Sequence, residues 1–245
     1  MPSSSMRMTD INAQDGVTPL FIATVNGHVE VVQQLLNAGA KSDKANKDGL
    51  TPLLVAATRG HVEVVQQLLK SGVELNKDGL TALFIAVQKG HVEVVQQLLK
   101  AGAEVDKAMQ NEATPLSIAA YYGHVEVVQQ LLKAGAEVDK VVQDGLTALY
   151  IAAQKGHVEV VQQLLKSGAE VNKAEQDGTT PLSMAAQNGH VEVVQQLLKA
   201  GAEVEKANEL EQSVQGECCA LMSPEASENC LLELWGVCDL RDLVW

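Results

Sequence analysis

Apolar and polar positions along this chain fall into a block that returns at nearly fixed spacing. Each block holds two short apolar runs at helical spacing, parted by Gly-His and followed by a polar stretch that leads into the next block. The decapeptide GHVEVVQQLL begins at Gly27, Gly60, Gly90, Gly123, Gly156 and Gly189, with starts separated by 33, 30, 33, 33 and 33 residues. Such a period marks a tandem array whose units contact only their neighbours, in place of one or two ordinary domains.

The fifth block, DGLTALYIAAQKGHVEVVQQLLKSGAEVNKA, reads as turn, helix, turn, helix, loop. Asp144-Gly145 is a turn dipeptide, and Thr147 is placed to cap the first helix. In four sister copies the residue after the threonine is proline (Pro19, Pro52, Pro115, Pro181), which suits the first helical position because its missing N–H would be unpaired there anyway. The first helix is predicted to end near Gly156, and His157 to open a second. There Val158, Val161 and Leu165, with Val160 and Leu164 beside them, form an apolar stripe, while Glu159, Gln162 and Gln163 are expected to face water. Gly168 stands where a left-handed residue would close that helix. One block buries a single side of each helix, so isolated copies are not expected to fold.

These letters resemble the ankyrin repeat. The period, D-G-x-T-P-L before the first helix, G-H-x-E-V-V before the second and G-A-E-V-x after it carry the likeness, which recurs six times over Ile11 to Lys206. The resemblance implies an all-α solenoid of stacked helix-turn-helix units with β-hairpin loops, in which first (inner) helices and hairpin tips line a concave binding groove. On this reading residues 1–10 are an N-terminal extension, 11–206 six repeats and 207–245 a C-terminal tail.

The chain departs from the family pattern in three places. The histidine usual after T-P-L is replaced by Phe21, Leu54, Phe84, Ser117, Tyr150 or Ser183, which puts the family's hydrogen bonding to the neighbouring hairpin in doubt. SGVELNKDG, between repeats two and three, is three residues shorter than SGAEVNKAEQDG and predicts a stunted hairpin. Gln110-Asn111-Glu112 stands where other copies lead with Asp-Gly, so a turn of different shape is expected.

Composition narrows the function. Aromatic residues are only 3% of the chain, so thin layers of Val, Leu and Ala must supply the buried surface. The net charge of -13, with no basic stripe, argues against a nucleic-acid partner, since phosphate binding depends on clustered Lys and Arg. The start MPSSSMRMTD has no apolar core, no long uncharged apolar run occurs, and all four cysteines lie in the tail. These features predict a cytoplasmic protein without membrane insertion.

Chemical candidates are few. His28, His61, His91, His124, His157 and His190 share one position of the period. Helices in neighbouring layers lie about 8–10 Å apart whereas Zn–N bonds are about 2 Å, so a structural role at the turn is expected over a shared metal. Cys218, Cys219, Cys230 and Cys238 contain no C-x-x-C pair and read as free thiols. No nucleotide, hydrolase or metalloprotease motif appears, so neither enzyme activity, metal nor cofactor is expected.

What varies between copies is more informative. The second helix hardly changes, while differences gather after T-P-L and in the pair before Gly-His: Val25-Asn26, Thr58-Arg59, Gln88-Lys89, Tyr121-Tyr122, Gln154-Lys155 and Gln187-Asn188. The resemblance places these on the concave side, so a protein partner is expected there, bound by a monomer through Phe21, Arg59, Phe84, Gln88, Lys89, Tyr121, Tyr122, Tyr150, Gln154, Lys155, Gln187 and Asn188. Every Phe and Tyr is in this set, and exposed aromatics are frequent hot spots. The other reading of Phe21, Phe84 and Tyr150 is that they fill the space left by the family's histidine. Adjacent helical residues point about 100° apart, so at least one of Tyr121 and Tyr122 should reach the groove. Lys89 and Lys155, with Arg59 further along, would ring that aromatic centre with positive charge and suit a segment carrying an apolar anchor and acidic residues.

After Lys206 the period stops and an acidic linker leads to CLLELWGVCDLRDLVW. Leu231, Leu234, Trp235 and Cys238 fall on one helical face. A capping helix over 230–245, a partner-binding peptide and a disordered end all remain open readings. Leu234 and Cys238 also match the spacing of the ubiquitin-ligase adaptor box found at the end of some ankyrin proteins, although Glu233 and Asp242 break its pattern. An adaptor subunit recruiting through the tail is therefore the alternative function.

Overall fold

The computed structural model describes residues 16–75, 81–109, 112–142 and 145–204. The expected extension and tail, residues 76–80 at the end of the shortened SGVELNKDG connection, and residues 110–111 and 143–144 lie outside them. Twelve helices are found among the described residues, two per repeat. In chain order they are α1 (Pro19–Val25), α2 (Val29–Asn37), α3 (Pro52–Arg59), α4 (Val62–Lys70), α5 (Ala82–Gln88), α6 (Val92–Lys100), α7 (Pro115–Tyr122), α8 (Val125–Lys133), α9 (Ala148–Lys155), α10 (Val158–Lys166), α11 (Pro181–Gln187) and α12 (Val191–Lys199).

Each first helix begins as its sequence dictates. The threonine hydroxyl accepts from the amide three residues on: Thr147 from Tyr150 at 3.2 Å, Thr18 from Phe21 at 3.1 Å. In repeats four and six the serine after T-P-L closes the reciprocal bond, Ser117 Oγ accepting from the Thr114 amide at 3.0 Å and Ser183 Oγ from Thr180 at 2.9 Å. The second helices of repeats one, two, three, five and six start without a side-chain cap. They end in a left-handed glycine, after which the Ala169 amide returns to Leu164 O at 3.1 Å, so the last carbonyls are satisfied locally.

Contacts divide the chain into two units, one reaching Val105 and including Lys133–Gly135, the other holding Asp106–Leu132 and everything from Ala136. In the first, α1, α3 and α5 pack side by side, as do α2, α4 and α6, and each repeat's two helices pack on each other. In the second, α9 packs against α7, α10 and α11, and α12 against α10 and α11. Alanines line the contact (Ala56, Ala57, Ala86, Ala152, Ala153), and their small side chains let helices approach closely.

Burial in the second helix is centred differently from the expected stripe. Val160, Val161 and Leu164 are fully buried, whereas Val158 and Leu165 are half-buried, and so are Gln162 and Gln163. A helix flanked by neighbours buries a wider arc than one lying on a flat core, and the centre of that arc falls between the two valines.

Repeat four corrects a second expectation. The bonds that flank its turn match those of its sisters: Met109 N donates to Ala113 O at 3.0 Å and Glu112 N to Met109 O at 2.9 Å, as Val142 does with Leu146 and Gly145 with Val142. Glu112 takes the glycine's role at φ 60, the one non-glycine residue at positive φ among those described. The flanking hydrogen bonds impose the conformation on a residue that disfavours it. These paired bonds are the hairpins of the loops; none is long enough to form a strand among the described residues.

Candidate functional site

Four of the six histidines are structural links. His61 Nε2 donates to Val25 O at 3.2 Å, His91 to Thr58 O at 3.1 Å, His157 to Tyr121 O at 3.0 Å and His190 to Gln154 O at 2.9 Å. A carbonyl can only accept, so each ring carries its proton on Nε2. Each imidazole thus ties the start of a second helix to the end of the preceding repeat's first helix. Among the described residues no group of three or more His, Cys, Asp or Glu is arranged to hold a metal ion.

Three of the expected contact residues are turned inward. Phe84 is 1% exposed, Tyr150 2% and Phe21 8%, so their rings are packing elements and not groove surface. The reason is positional: the third residue of the first helix faces protein, as the equally buried Ser117 shows, although Leu54 and Ser183 at the same position are half-buried. Tyr150 also restores a link to the next hairpin, its hydroxyl donating to Glu175 Oε1 at 2.9 Å. Burial, and then the negative charge of Glu175, pushes the Tyr150 phenol well above its ordinary range, so it stays a donor.

The pairs before Gly-His remain accessible. In the first unit Arg59 and Lys89 are exposed at the ends of the adjacent helices α3 and α5, with Gln88 half-buried beside Lys89. In the second unit Gln187 and Asn188 are exposed, and Gln154 and Lys155 half-buried. Tyr121 is half-buried and Tyr122 is 41% exposed. Their rings meet edge to face at 5.0 Å, Tyr122 stacks on the His124 ring at 5.8 Å, and Lys155 Nζ from the next repeat sits 4.5 Å from the centroid of Tyr121. A cation over a ring face is worth about 0.5–1 kcal/mol at such a site, which orients both groups before anything binds.

The model of ankyrin repeats in three copies matches residues 4–78, 71–142 and 116–208. The chain belongs to the ankyrin-repeat family. A solved ankyrin repeat domain from Acinetobacter baumannii AYE is similar at 32% identity with a TM-score of 0.70, covering 76% of this chain and 98% of that one. No match was found among curated proteins. Ankyrin repeats are generally protein–protein interaction modules and are typically non-catalytic. Among the described residues no helix is long and apolar enough to cross a membrane.

The hairpins of this ankyrin array hold a feature the sequence reading missed. The Asp106 carboxylate accepts from the Glu137 amide at 3.1 and 3.3 Å, and Asp139 from Glu170 at 3.1 and 3.2 Å; Asn172 Oδ1 accepts from Glu203 at 2.9 Å. Lys140 and Lys173 donate back to Asp106 O and Asp139 O at 3.3 and 3.0 Å. The recurring D/N-K after G-A-E-V was the visible signal for this clamp.

Proposed function

We propose that the protein is a non-catalytic interaction array whose second unit engages a protein segment through Tyr121, Tyr122 and Lys155. The observation that carries the reading is the preformed cluster itself: two aromatic rings in edge-to-face contact, one capped by a cation and the other substantially exposed. Preorganised side chains bind at little ordering cost, and aromatic anchors dominate interface energies. The rings suit an apolar anchor and Lys155 an acidic neighbour. Gln154, Gln187 and Asn188 complete the contact set in this unit, while Arg59, Gln88 and Lys89 occupy the equivalent positions in the first. Phe21, Phe84 and Tyr150 drop out of it because they are buried.

The test is capture of partners from source-cell lysate by the full chain and by Y121A/Y122A, with Glu126→Ala on the exposed side of α8 as control. Tyr121 holds His157 through its backbone carbonyl, so that link survives side-chain truncation. The expected result is an unchanged capture pattern for the control and a loss of about 30-fold or more in affinity for the tyrosine variant, the cost of about 2 kcal/mol typical of a hot spot. The reading fails if the tyrosine variant captures the same proteins as wild type. Capture that instead disappears only on removal of residues 207–245 supports the adaptor function.

A further inference from the structure

The end of repeat six leaves an apolar face open, and comparison with repeat five defines it. Val161, Ile151 and Ala153 are fully buried in repeat five, whereas their counterparts Val194 and Met184 are half-buried and Ala186 is exposed. On the same side Val191 is 59% exposed and Leu198 43%. These positions are the ones a following repeat would cover. The chain continues beyond Val204, but without another T-P-L or Gly-His pair to build such a repeat.

We infer that residues 230–245 of the same chain dock on this face and close the stack. Leu231, Leu234, Trp235 and Cys238 fall at one-face spacing of a helix and would give exposed Val191 and Leu198 and half-buried Met184 an apolar partner. Residues 205–229 separate the two, and a random coil of that length would span about 30 Å, ample to reach a neighbouring helix. Tethering also holds the segment at an effective concentration in the mM range, which favours it over a second copy of the chain at ordinary protein concentrations.

Both tryptophans lie in this segment, so the full chain reports on itself. With Trp245→Phe, emission should come from Trp235 alone, blue-shifted and shielded from acrylamide at every protein concentration. Adding V191D/L198D should shift it to the red and expose it to quencher. Those two side chains are already largely exposed while Val193 and Leu197 hold the repeat, so the fold should persist. Reciprocally, Trp235→Asp should speed hydrogen exchange across α12. A water-exposed Trp235 in the W245F chain overturns the inference. So does shielding that ignores V191D/L198D, which would put the segment elsewhere. Shielding that rises with concentration together with a dimer in sedimentation overturns it too, because a second copy would then be the occupant.

Discussion

His190 stands so close to Gly156 that a Cβ added to the glycine would lie 2.7 Å from the ring's Nδ1. Gly156 also sits at φ 76, so an alanine there meets two obstacles, its own backbone conformation and the imidazole of the next repeat. Gly168, at φ 90 with nothing within 4 Å, presents only the first. Gly168→Ala is expected to cost about 1–2 kcal/mol, and Gly156→Ala distinctly more. Urea melts of both variants, and of G156A/H190A, check the difference. Favourable coupling in the double variant is the signature of the ring contact, and equal costs for the two single variants would remove it.

Glu112 invites the opposite substitution. Its left-handed conformation costs about 1–2 kcal/mol, partly offset in a glycine variant by the greater freedom of the unfolded chain. Glu112→Gly should raise stability by about 0.5–1 kcal/mol and the thermal midpoint with it, as read by calorimetry. No gain would mean that the turn relaxes around glutamate at no cost.

Replacing Tyr150 with Phe removes the hydrogen bond to Glu175 and should cost about 0.5–1.5 kcal/mol at neutral pH. The pH dependence is more telling. The folded state holds the phenol protonated above its ordinary value of 10.0, so an unfolded chain loses this proton first. The contribution is complete below about pH 10 and declines as pH rises beyond it. Lysines titrate in the same range, so the comparison is between slopes. Denaturant melts from pH 9 upward should show wild type losing stability more steeply than Tyr150→Phe, and parallel curves would contradict the assignment.

Asp139 can be replaced without loss by one residue in particular. Asn172 makes the equivalent bond to the Glu203 amide, so Asp139→Asn should be close to neutral. Asp139→Leu leaves the Glu170 amide without its acceptor and should cost about 1 kcal/mol. Hydrogen exchange at Glu170 should quicken in the leucine variant alone.

The sequence made most local geometry legible. Thr147 as cap, Pro115 at a helix start and Gly168 in the left-handed region follow from rules that act within one turn of chain, and each stands where those rules put it. The pair before Gly-His was legible as accessible surface, Tyr122 above all. Reading failed where a neighbour decides. Phe84 and Tyr150 occupy variable positions, but packing against protein takes their rings out of solvent. Glu112 breaks a residue preference because the bonds between Met109 and Ala113 fix its backbone. Burial of Val160 beside Val161 reflects packing on two sides, which a one-sided helical pattern does not register.

Tyr121 and Gln154 each serve two masters by separate parts of one residue. The carbonyl receives the histidine of the following repeat, and the side chain is left out of that bond. Because any amino acid brings the same carbonyl, the seam between repeats is indifferent to which letter stands there. Valine, threonine, tyrosine and glutamine all occupy the seat in this chain. Whole repeats can therefore be copied, lost or exchanged at the Gly-His junction, and the letters at the seat can drift freely, without renegotiating cohesion. An array joined this way can change what it recognises one residue at a time while its mechanical joint stays untouched.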